Sequence, residues 1–91
     1  MNYKIIGPSY KFVRNDILVK FIEIFKINNS EYILDKTILK NIIDKYIPIS
    51  KSLVNYGSWE IYKKQGIELN LKKNIMLEIV IRLTEKFNKI D

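Results

Sequence analysis

Residues 35–67 read DKTILKNIIDKYIPISKSLVNYGSWEIYKKQGI, and the parsing of this stretch decides the fold. Asp35 offers a carboxylate to the free amides of a first helical turn. Ile38, Leu39, Ile42, Ile43 and Tyr46 recur at helical spacing and make one apolar stripe. Lys36, Thr37, Lys40, Asn41, Asp44 and Lys45 fill the opposite face. Pro48 ends the helix, because the residue before a proline avoids helical backbone angles. Ser50 is a second capping residue, so a new helix is expected from Ser50 to Lys64, closed by Gly66 in a left-handed conformation. Two helices about a short turn are a helix-turn-helix pattern.

Upstream, Asn15 or Asp16 caps a helix that reaches about Ile27. Ile17, Leu18, Phe21, Ile22, Ile24 and Phe25 give it a broad apolar face, and Lys20, Glu23 and Lys26 a wet one. Asn28-Asn29-Ser30 breaks it, and Glu31-Tyr32-Ile33-Leu34 reads as a short strand. Residues 1–14 form an N-terminal arm in which Gly7-Pro8-Ser9 signals a turn, with Tyr3, Ile5, Tyr10 and Phe12 as packing residues.

Downstream of Gly66 two readings compete. In the favoured one, Ile67–Leu71 and Ile75–Ile81 are the arms of a β-hairpin about Lys72-Lys73-Asn74. Leu71 then faces Ile75, Leu69 faces Leu77 and Ile67 faces Ile79, all on one side of the ribbon. Its cost is Glu68 opposite Glu78. In the other, Asn74 caps one long helix with Met76, Val80, Leu83, Phe87 and Ile90 as a heptad seam. The first gives a mostly α, α+β fold. The second gives an all-α bundle.

The 91 residues suit one domain with one modest core. There is no cysteine and no histidine, which removes disulfides, thiolate metal sites, the usual zinc ligands and the Ser-His-Asp triad. No glycine-rich phosphate loop or paired acids at readable spacing are present, so neither an enzyme nor a cofactor is expected. No apolar run reaches the ~18–20 residues of a membrane span, and no signal-peptide pattern opens the chain. A cytoplasmic protein is the expectation. The net charge of +6 invites a nucleic-acid partner. However, eighteen isoleucines, fourteen lysines and nine asparagines beside no alanine look like AT-rich coding, which inflates lysine for reasons unrelated to phosphate.

The order of elements resembles a winged helix-turn-helix domain. Tyr46-Ile47-Pro48-Ile49-Ser50-Lys51-Ser52-Leu53-Val54 is similar to the turn and recognition-helix start of ArsR-like and MarR-like transcriptional regulators. Lys63-Lys64-Gln65-Gly66-Ile67-Glu68 resembles their lead into the wing, and Ile81-Arg82-Leu83-Thr84-Glu85-Lys86 the passage from wing to last helix. The resemblance implies a three-helix core with a hairpin wing. It also implies a sequence-specific regulator, a homodimer on double-stranded DNA, that reads the major groove with the helix from Ser50 to Lys64. The metal-sensing cysteines of the ArsR type are missing, so no metal response is implied. On that model Ser50, Lys51, Ser52, Asn55 and Tyr56 face the groove, with Asn55 suited to adenine. Lys36 and Thr37 reach phosphate at a helix start, and Lys72 and Lys73 meet backbone at the wing tip. With no arginine on this surface, AT-leaning sites fit better. The competing reading is a protein-interaction domain, a subunit of a larger complex or a small inhibitor from a mobile element.

Overall fold

The computed structural model describes residues 11–88. Its elements run β1 (Lys11–Val13), α1 (Asn15–Asn28), α2 (Lys36–Tyr46), a 3-10 turn (Lys51–Leu53), β2 (Val54–Tyr56), α3 (Trp59–Glu68) and α4 (Lys73–Asn88). Four helices and a two-stranded antiparallel sheet make a mostly helical α+β arrangement among the described residues. Of the arm expected over residues 1–14, residues 1–10 lie outside them, as does Ile90 at the end of the heptad seam, and Lys11–Val13 is β1.

α1 buries Leu18, Phe21, Ile22 and Phe25, the stripe its spacing demands. Its N-cap position is Arg14, which pairs with Asp16 in the first turn at 2.9 Å, so neither Asn15 nor Asp16 serves as the cap. The strand expected at Glu31–Leu34 is not formed. The Asn29 carbonyl accepts from the Tyr32 amide at 2.9 Å, and its side chain accepts from the Ile33 amide at 3.3 Å. Tyr32 is left-handed at φ 52, which an extended ladder cannot accommodate.

α2 forms where expected, though Ile38 and Tyr46 at the edges of its apolar stripe stay exposed. The Asp35 carboxylate accepts from the amides of Thr37 (2.9 Å) and Ile38 (3.2 Å), and Leu39, Ile42 and Ile43 are buried. Ile47 turns extended ahead of Pro48.

The helix expected from Ser50 to Lys64 is not continuous. Ser50 does cap: its hydroxyl accepts from the Ser52 amide at 3.2 Å and its carbonyl from Leu53 at 3.1 Å. The turn it starts lasts only through Leu53. Val54–Tyr56 then pairs with β1 in the register Lys11↔Tyr56, Phe12↔Asn55, Val13↔Val54. A β-branched and aromatic run followed by Gly57 favours a strand, and β1 supplies an edge that seats Phe12 and Val13 in the core. α3 begins only at Trp59.

The hairpin over residues 67–81 is also replaced. Ile67 and Glu68 complete α3, Leu69–Lys72 turn, and the rest is α4. Gly66 does not close the helix. Asn70 does, left-handed at φ 56, with the Asn70 amide donating to the Ile67 carbonyl and the Leu71 amide to the Gly66 carbonyl, both at 3.0 Å. Gly66 instead lies within α3 against Met76, where an added Cβ would come within 2.6 Å of the Met76 Cγ. Lys72 and Lys73 thus sit at the start of a helix rather than at a wing tip. The helix wins because it buries Ile75, Met76, Ile79, Val80, Leu83 and Phe87 together. It also lets Arg82 Nε bind Glu78 Oε2 at 2.7 Å one turn away, where the hairpin would set Glu78 against Glu68. α4 is the central helix, packed on β1, α3, α2 and α1.

Candidate functional site

The residues expected to contact DNA are dispersed. Lys36 and Thr37 are exposed at the start of α2, and Lys36 Nζ lies 3.8 Å from the buried Glu78 carboxylate. Ser50 and Ser52 lie beyond the other end of α2, their hydroxyls 2.8 Å apart. At 1.5 Å per residue, α2 sets these two groups roughly 16 Å apart. Asn55 is exposed on β2 opposite Phe12. Lys51 and Tyr56 belong to the 3-10 turn and β2, and the structure does not describe their side chains. Lys72 and Lys73 are exposed where α4 begins, at the same end of the molecule as Lys36, since α2 and α4 run parallel. Glu78 meets Lys36 near the start of α2, and Lys86 Nζ donates to the carbonyls of Ile43 (2.9 Å) and Ile47 (2.6 Å) at its end. No single helix gathers the nine residues into a reading surface.

What the fold does assemble is an apolar groove between α3 and the start of α4, of about 580 Å³. Trp59, Ile67, Leu71 and Met76 supply its apolar surface, and Glu60, Lys63, Lys64, Glu68 and Lys73 its rim. Trp59, Lys63 and Ile67 follow at four-residue spacing on one side of α3. Gly66 lets α4 approach closely enough for Met76 to form the wall. Ile67 is 78 % exposed and Ile61, further back on α3, 50 %. On the rim Lys63 is held by Glu60 at 3.0 Å, whereas Lys64 and Lys73 have no carboxylate partner among the described residues.

No family model, curated protein or solved structure matches this chain.

A second depression, between α2 and α4, is lined by Lys40, Ile43, Asp44, Ile49, Arg82, Glu85 and Lys86. Apart from Lys40, its charges are answered internally: Arg82 meets Glu85 at 3.5 Å and Lys86 meets Asp44 at 4.0 Å. Burial lowers the Lys86 pKa, partly offset by Asp44. On the other side of α3, Tyr62 turns into the core, packs edge-on against Phe12 with ring centroids 5.0 Å apart, and donates its hydroxyl to the Val13 carbonyl. Burial raises its pKa. Among the described residues no cluster of acids is grouped to hold a metal ion, and no helix is long and apolar enough to cross a membrane.

Trp59, Ile61 and Tyr62 are the large apolar side chains at the start of α3. Tyr62 is fully buried, Trp59 is partly buried against the core while lining the groove, and Ile61 is exposed. The signal that could have found the groove is Ile67 on the same side of α3 as Trp59. A hairpin over residues 67–81 puts Ile67 in a strand, where it shares no helix face with Trp59.

Proposed function

We propose that this chain is a protein-interaction domain whose contact face is the groove between α3 and α4. The observation that carries the reading is Ile67, which stands 78 % exposed beside Trp59, Leu71 and Met76. Trp59 is partly buried and Leu71 and Met76 are buried at the floor, so Ile67 is the exposed apolar side chain of a concave, charge-rimmed surface, a setting that marks a recognition site more often than an isolated surface isoleucine does. A photocrosslinker placed at Glu60, on the rim, tests it in the cells that make the protein. It should capture one discrete partner, and Ile67→Asp should lose that partner while Lys20→Ala, on α1, keeps it. Equal capture by the wild type and Ile67→Asp would refute the reading.

DNA binding is the second reading, and a separate observation favours it. Lys20, Lys40, Lys45, Lys64, Lys72 and Lys73 are exposed with no carboxylate partner among the described residues. In that reading the chain is a regulator akin to the winged domains it resembles. Its support is charge, because the stretch from Ser50 to Lys64 and the 67–81 hairpin, which would have read and clamped the duplex, take other forms here.

A further inference from the structure

We infer that the occupant of the α3–α4 groove is an acidic amphipathic helix of a partner protein; this rests on the protein-interaction reading above. A helical occupant suits the groove, because α3 and α4 wall it with side chains and its free backbone is confined to the first-turn amides of α4. Its walls are helices, and the carbonyls of Gly66 and Ile67 at the end of α3 already accept from Leu71 and Asn70. An extended segment would therefore bury its own amides and carbonyls without partners, whereas a helix satisfies them internally. Such a helix lays residues at three- and four-residue spacing against Trp59, Ile67, Leu71 and Met76.

The sign of its charge follows from the rim. Glu60 is spent on Lys63 at 3.0 Å. Lys64 and Lys73 are left without a carboxylate among the described residues, and Lys72 stands exposed beside them. Lys73 opens α4, so a carboxylate arriving there also meets the positive end of that helix. Glu68 is the one acid on the rim left to oppose it. The whole chain, at net +6, attracts an acidic partner over longer range.

Trp59 is the single tryptophan of the protein and lines the groove, so its fluorescence reports occupancy directly. The full chain should be titrated with three synthetic helical peptides of one apolar pattern, whose remaining positions are all glutamate, all glutamine or all lysine, and with a random-sequence DNA duplex. The glutamate peptide should shift Trp59 emission and bind roughly tenfold tighter than the glutamine peptide, the scale of two surface ion pairs. That advantage should shrink between about 50 and 500 mM salt, as exposed charges are screened. Lys64→Glu with Lys73→Glu should reverse the preference toward the lysine peptide, and Ile67→Asp should abolish all three, with helical circular dichroism unchanged in both variants. If the glutamate and glutamine peptides bind alike, the acidic partner is wrong while the interaction groove stands. If no peptide moves Trp59, the groove itself fails as a contact site. If the duplex shifts Trp59 as the glutamate peptide does, with the same sensitivity to charge reversal, the groove takes polyanions and the protein partner is overturned.

Discussion

Two residues show how much a single side chain decides here. Gly66 is required for close approach, not for a left-handed turn. Replacing it by alanine gains up to ~1 kcal/mol of helix propensity. Against this, the new Cβ meets Met76 at Cγ (2.6 Å), Sδ (2.9 Å) and Cβ (3.2 Å), near the base of the side chain, where it cannot swing aside. We expect Gly66→Ala to destabilise by about 1–2 kcal/mol net, measured by urea unfolding. Tyr62 gives a pH prediction. Its phenol is buried and its pKa raised, so the folded state favours the protonated form. That contribution is whole below the unfolded value of ~10 and is lost as pH rises from there toward the folded value. Lys86 acts oppositely, because its lowered pKa favours folding as pH climbs. The readout is therefore the difference between wild type and Tyr62→Phe. The variant should lose about 1 kcal/mol at neutral pH, from the bond to the Val13 carbonyl, and should lose less stability than wild type above pH ~10. Parallel curves would mean that Tyr62 ionises as freely folded as unfolded.

At the scale of elements, α2 and α4 are bound by an apolar seam and by Lys86. Ile43 is 3 % exposed, and its truncation to alanine should cost roughly 2–5 kcal/mol in denaturant titration. A loss under ~0.5 kcal/mol would place that face outside the core. Lys86 Nζ closes the end of α2 by donating to the Ile47 carbonyl and to the Ile43 carbonyl, which the Ile47 amide also meets at 3.1 Å. Lys86→Met keeps the stem and removes those charge-assisted bonds. It should cost about 1–3 kcal/mol and speed amide exchange at the end of α2 while leaving its start protected.

For the molecule as a whole, the distribution of charge separates the two functional readings. If the exposed lysines bind duplex DNA, Lys36, Lys72 and Lys73 are the contacts that share one end of the fold. Log affinity should then fall with log salt at a slope near −3, about 0.9 per phosphate. Replacing Lys72 and Lys73 by alanine should flatten that slope by nearly 2 for every sequence alike. No detectable binding by micromolar protein at about 50 mM salt would end the DNA reading, since even non-specific affinity would be lacking.

Local chemistry determined α1 and α2. Their apolar stripes, the Asp35 cap and the Pro48 stop act within a few residues, so they are legible before any packing is known. The heptad seam of α4 was equally present in the sequence, but it shared its residues with a plausible hairpin face. Neither pattern could exclude the other locally, because short apolar runs satisfy both periods. Tertiary structure decided that contest. Only the helix presents Met76 and Val80 to the same core as Ile75 and Ile79, meets Gly66 at close range, and gives Glu78 its partners Arg82 and Lys36. It likewise turned Val54–Tyr56 from helix to strand, because β1, forty residues upstream, supplies the hydrogen-bonding edge. The groove could not be read from the chain for the same reason: Trp59, Ile67 and Met76 become one surface only when α3 folds back onto α4.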